Sequence, residues 1–243
     1  MKSSLKQLSK TKKISLIVVS AVVFIAAGVT VYLILSASQY VEHNNKLYGA
    51  ASQDIRAEVS ADKLSMQTLA DITREATDAS SSMCKSSFVI DWTISQDDMT
   101  RCQASQQKLT DVSERSGAVE QYLASDKSVA DILTSASEQL DKLDTDDYAS
   151  QQAVWNQVSQ SLDDLQAVGS YADNLAAHKT AVEQIIKSYD KVISADKAQK
   201  RDKFDDAVAD LQSAYDSLNE TKNDSKSTYK DQATALVDAI RAL

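Results

Sequence analysis

Residues 14–35 read ISLIVVSAVVFIAAGVTVYLIL, 22 consecutive positions from Ile14 to Leu35 without a charge, a proline or an amide. As a helix rising about 1.5 Å per residue, this run is about 33 Å long, enough to cross a hydrocarbon layer of about 30 Å. A core helix of a globular domain keeps a polar stripe, and this run is apolar on every side. Lys2, Lys6, Lys10, Lys12 and Lys13 precede it, and none of the 35 acidic residues does. Short lysine-rich flanks stay on the cytoplasmic side of the cell membrane. Residues 1–13 are therefore expected to form a cytoplasmic tail, 14–36 a single-pass signal anchor and 37–243 an extracytoplasmic domain exposed at the cell surface. The run exceeds the roughly 7 to 15 residues of a signal-peptide core, which favours an anchor over a cleaved leader, although Ser36 and Ser38 offer a weak cleavage-like site. Ala26 and Thr30 make a small-xxx-small pair through which two copies could pack, so a homo-oligomer is compatible with the segment.

Outward from the anchor the composition changes. Proline is absent and glycine occurs four times, at Gly28, Gly49, Gly117 and Gly169. The residues that punctuate hairpins and strands are thus almost missing, and the expectation is an all-α fold. Val41, Tyr48, Ile55, Val59, Met66, Leu69, Ile72, Ala76 and Met83 follow one another by threes, fours and sevens, the spacing of one helical face. Similar faces run from Leu109 to Leu143, from Trp155 to Val192 and from Phe204 to Leu243. The expected architecture is an elongated antiparallel, up-down-up-down bundle of about four coiled-coil-like helices over about 37–83, 97–143, 146–194 and 197–243. Asp144-Thr145-Asp146-Asp147 reads as a helix stop followed by an N-cap, and Ser194-Ala195-Asp196 as the next cap. Three places could interrupt the helices: Ser125–Ser128, Gly169-Ser170 and the polar patch Thr221–Thr228. A weak 49-residue repeat, in which Trp155 matches Phe204 and Leu162 matches Leu211, is compatible with a duplicated hairpin.

The extracytoplasmic part holds 21 basic against 35 acidic residues, a net charge of −14. Phosphate contacts need a basic face, so nucleic acid is not an expected partner. Cys84 and Cys102 fall where thiols oxidise and are expected to form a disulfide across the junction of the first two long helices. In the four-helix scheme that loop is distal, at the end far from the membrane. Inside it, Phe88, Ile90, Trp92 and Ile94 alternate with Val89, Asp91 and Thr93, a strand-like period. These four apolar side chains either plug the open end of the bundle or form an exposed epitope for a protein or cell-envelope partner.

Catalytic patterns are missing. HExxH, EF-hand, Walker and GxSxG motifs do not occur, and the two histidines, His43 and His178, are not paired with an activatable nucleophile. His178 lies on the apolar seam between Leu175 and Val182 and reads as a satisfied interior histidine. No enzymatic activity, metal or cofactor is expected. Asn219-Glu220-Thr221 and Asn223-Asp224-Ser225 match the glycosylation sequon, which matters only in a glycosylating source.

One membrane helix leading into a long extracytoplasmic helical bundle resembles, in plan, the sensor half of bacterial chemoreceptors, which implies ligand sensing. Those receptors return through the membrane to a cytoplasmic signalling rod, whereas only residues 1–13 are expected inside here. Tyr148, Trp155, Leu162 and Leu165 resemble the pattern of FIVAR-type modules of bacterial surface proteins, but with a different spacing. The functional expectation is an interaction or adhesion module presenting the 84–102 loop. The alternatives are a ligand-sensing or assembly subunit coupled laterally to another membrane protein, and an acidic spacer of the envelope.

Overall fold

The computed structural model describes residues 2–59, 64–85, 87–166 and 169–243, with side chains from Ile25 onward except those of Phe88, Val89 and Trp92. The described chain is all-helical and contains no strand. In order, it comprises α1 (Lys2–Glu58), α2 (Met66–Ser82), α3 (Phe88–Thr93), α4 (Gln96–Leu140), α5 (Tyr148–Asp163), a 3₁₀ turn (Gly169–Tyr171), α6 (Ala172–Lys197) and α7 (Arg201–Arg241). Among the described residues one helix, α1, is long and apolar enough over its N-terminal part to cross a membrane. Its apolar side chains there are uncovered: Ile25, Val29, Val31, Tyr32, Ile34 and Leu35 are all exposed.

The helix expected over 37–83 is two helices. Val59 and Met66 are seven apart, so the apolar spacing runs through the break unchanged and conceals it. The restart is written in Ser65. Its hydroxyl accepts from the Thr68 N–H at 3.0 Å, and its carbonyl takes the Leu69 N–H at 2.9 Å, so it acts as an N-cap. The second expected helix is unbroken through Ser125–Ser128, where Ser128 turns its hydroxyl back onto the Ala124 carbonyl. It begins after Ser95, whose hydroxyl caps the Asp98 N–H at 3.1 Å while donating to the Asp98 carboxylate at 2.7 Å. The third is interrupted between Asp163 and Ala172, near the suspected Gly169-Ser170, and Gly169 there takes a left-handed φ of 49°. The fourth runs unbroken through Thr221–Thr228.

Asp147 caps α5 as its sequence context implied, accepting from the Ser150 N–H at 3.1 Å. The α6–α7 turn lies later than Ser194-Ala195-Asp196. The Lys200 N–H reaches the Ala195 carbonyl and the Gln199 N–H reaches that of Asp196, a complete Schellman closure with Gln199 at φ 50°. Glycine is the usual occupant of that left-handed position, which costs other residues about 1–2 kcal/mol. Gln199→Gly is therefore expected to raise the stability of this region by about 1 kcal/mol in urea unfolding.

The chain forms two compact units. The first contains the chain up to Asp54, Thr77–Thr110 and Leu243; the second contains Ile55–Ala76 and Asp111–Ala242. In the first, Ala51, Ala79, Met83, Cys102 and Leu109 are buried. The Gln106 amide ties α4 to the end of α2 through the Ser80 carbonyl at 2.7 Å, and the Tyr48 hydroxyl donates to the Leu243 carbonyl. The second holds the larger core, which includes Val158, Leu162, Leu175, Val182, Ile185 and Leu218. There α6 packs on both α5 and α7. Burying each such aliphatic side chain contributes about 1.5–3 kcal/mol.

Candidate functional site

The disulfide loop belongs to the first unit. Cys84 and Cys102 are bonded, with Cα atoms 5.8 Å apart. The Cys84 N–H donates to the Asn44 side-chain oxygen at 2.8 Å, and the Asn44 amide donates back to the Tyr40 carbonyl at 2.9 Å. Asn44 is buried although polar, and these two bonds account for its place there. It lies nine residues beyond Leu35. The loop is therefore not distal: because α1 ends at Glu58, α2 brings the chain back to the part of α1 that follows the apolar run.

The strand reading of residues 88–94 is also overturned. The Asp91 N–H bonds the Ser87 carbonyl and the Ile94 N–H bonds that of Ile90, both at 2.9 Å, closing the short helix α3. A lone strand would leave its backbone groups unpaired, whereas one helical turn pairs them internally. The same residues fit both periods, since Phe88 and Trp92, like Ile90 and Ile94, are four apart. Ile90 and Ile94 are half-buried and Asp91 is exposed; the side chains of Phe88 and Trp92 lie outside the described residues. A groove of about 680 Å³ separates the start of α4 from α1, with Thr93, Ser95 and Asp98 facing Ala37, Val41 and Asn45. Tyr40 adds a buried hydroxyl without a hydrogen-bond partner among the described residues. Burial, and then the nearby Asp91 carboxylate, push its phenol above the ordinary range.

The second unit holds a polar network that the sequence did not single out. The Tyr122 hydroxyl donates to the Ser225 carbonyl at 2.8 Å and accepts from the Asn174 amide. Asp126 accepts from the Tyr171 hydroxyl at 3.2 Å and from the Ser225 hydroxyl. The Tyr122 and Tyr171 rings meet edge to face at 4.9 Å. Burial is the main reason both phenols are held above their usual range. The three suspected helix breaks supply these groups: Asp126 from 125–128, Tyr171 and Asn174 beside 169–170, and Ser225 from 221–228. Their polarity serves the interior of the unit, and two of the three helices continue through them.

His178 lies within this region and is 1 % exposed. Its Nδ1 is 2.8 Å from the Asn174 carbonyl one turn earlier, so Nδ1 carries the hydrogen and Nε2 is left as an acceptor. This matches the satisfied interior histidine expected from its position on the seam. Burial lowers its pKa and Lys222 adds to that; the Asn174 carbonyl and Asp126 oppose. A folded-state pKa below the unfolded one gives stability that is full above the ordinary histidine value of about 6.5 and is lost as pH falls toward the folded value. Asp126, Lys222 and Lys226 border the same space. The melting temperature should therefore fall between about pH 7.5 and about pH 5.5, and His178→Gln should flatten that part of the profile. An identical slope in the variant would refute the assignment.

No group of three or more His, Cys, Asp or Glu side chains converges in a metal-holding arrangement among the described residues. Comparison with family models, with curated proteins and with solved structures yields no significant match.

Proposed function

We propose that this chain is a membrane-anchored interaction subunit that works by binding, with α1 as its single span, the lysine-rich end cytoplasmic and the acidic helices outside. Its contact element is the 84–102 loop, and its partner is a protein that itself reaches the membrane surface. One observation carries this reading: the disulfide and the Asn44–Cys84 hydrogen bond hold α3 beside residues 37–46, just past the apolar run. A loop fixed there is suited to lateral assembly, and less to adhesion across a gap. The uncovered apolar face of α1 supports the anchor. We also read α5, α6 and α7 as an up-down arrangement. In support, Lys179 meets Asp163 while Gln152 meets Asp190, and Lys191 meets Asp210 while Tyr189 meets Tyr215.

A photoreactive residue in place of the exposed Asp91 tests the assembly reading in intact cells. The expected adduct contains an integral membrane protein, and its yield should collapse in a Phe88→Ser/Trp92→Ser variant of unchanged melting temperature. Adducts only with lipid or with soluble proteins would overturn the proposal. So would a variant in which melting falls and capture by the remaining folded protein is unchanged.

A further inference from the structure

The second unit contains a cleft of about 390 Å³ between α4, α6 and α7, within the size range of small-molecule sites. We infer that this cleft binds a small organic monoanion, a carboxylate carrying a short apolar body, whatever the role of the 84–102 loop. Lys222 and Lys226 stand four apart on one face of α7 and both border the cleft. Neither has an ion-pair partner among the described residues, so both ammonium groups are available to a ligand. The one lining carboxylate, Asp126, already accepts from Tyr171 and Ser225. With His178 neutral, the lining carries one net positive charge in a chain whose net charge is −9. That local reversal selects an anion and rejects a cation.

The α4 wall carries an apolar stretch, Val129, Ala130 and Leu133, beside the polar Asp126, Thr134 and Ser137, and Val129 and Leu133 also belong to the buried core. A carboxylate lying between the two ammonium groups would place an alkyl body of a few carbons against that wall. Lysine ammonium groups bind a carboxylate by charge-assisted hydrogen bonds, and the apolar wall contributes by removing hydrocarbon from water. His178, with Nδ1 committed to the Asn174 carbonyl, offers Nε2 as an acceptor for a hydroxyl or amide donor on the ligand.

The test uses the full chain in lipid nanodiscs and saturation-transfer NMR with hexanoate, acetate and hexylammonium as separate probes. Hexanoate should give saturable transfer, while acetate and hexylammonium should bind at least about tenfold more weakly. Lys222→Gln/Lys226→Gln, a change at the cleft border outside the packed core, should weaken hexanoate by about tenfold or more. Equal transfer to hexylammonium, or an unchanged hexanoate titration in the double variant, would reduce the cleft to an unselective apolar groove and overturn the inference. Absence of hexanoate binding would overturn it as well. Equal binding of acetate would overturn it too, because the apolar body would then contribute nothing.

Discussion

Trp155→Ala is expected to destabilise the second unit by about 3–5 kcal/mol, a large fraction of the stability of a typical domain. The indole is 4 % exposed and belongs to the core, so truncation opens a cavity that its packed neighbours can fill only in part. The polar end compounds the loss. The indole N–H donates to the Tyr215 hydroxyl at 2.8 Å, which lies 2.9 Å from the Tyr189 hydroxyl, and Tyr189 donates to Gln151 at 3.0 Å. Alanine would leave that chain of hydroxyls one donor short in a buried place. Trp155→Phe keeps one aromatic ring in the core but loses the N–H together with the indole's second ring, so it retains part of the packing and none of the hydrogen bond. It should cost about 1–2 kcal/mol. Urea unfolding followed by circular dichroism measures both. A loss below about 1 kcal/mol for the alanine variant would contradict the packing described.

Replacing Cys84 and Cys102 by serine, or reducing them, is expected to cost about 3 kcal/mol and to release α3 from α1. The chain-entropy estimate for a loop closed over a sequence separation of 18 gives this magnitude. Cys84 also sits at φ 56°, a conformation that costs a non-glycine residue about 1–2 kcal/mol. The disulfide and the Asn44 hydrogen bond together hold it there. Hydrogen exchange should show the amides of 85–95 opening faster in the serine variant, and Asn44→Ala should reproduce part of the effect with the disulfide intact. Unchanged exchange in both variants would mean that α3 is held by other contacts.

The apolar run, the helical class and the cysteine pairing are legible in the sequence because each rests on local chemistry. A helix needs only its own periodicity, and an uncharged, largely apolar run of 22 residues has few uses. The break after Glu58 is not legible from apolar spacing, since Val59 to Met66 preserves a heptad step across it; only the Ser65 cap marks it. Missing that break sends the loop to the wrong end of the first helix. The α3 segment misleads for another reason: alternation along Phe88–Ile94 satisfies a two-residue period and also pairs Phe88 with Trp92 and Ile90 with Ile94 at a helical step. The absence of a pairing strand among the described residues then decides the outcome. The buried network misleads in the opposite direction, because Asp126, Asn174 and Ser225 look like helix interruptions along the chain. Their partners, Tyr122 and Tyr171, are known only once the helices have packed.

The proposed placement of the cysteine loop at the membrane surface is tested most directly by the fluorescence of Trp92. The chain has two tryptophans, so Trp155→Phe leaves Trp92 as the sole reporter in vesicles containing a lipid with a nitroxide on its headgroup. Trp92→Phe serves as the reference, since its remaining indole, Trp155, is buried in a protein core that the quencher does not enter. Strong quenching of Trp92, lost when the disulfide is reduced, is the predicted result. Trp92 emission that is as insensitive to the headgroup quencher as that of Trp155 would contradict that placement.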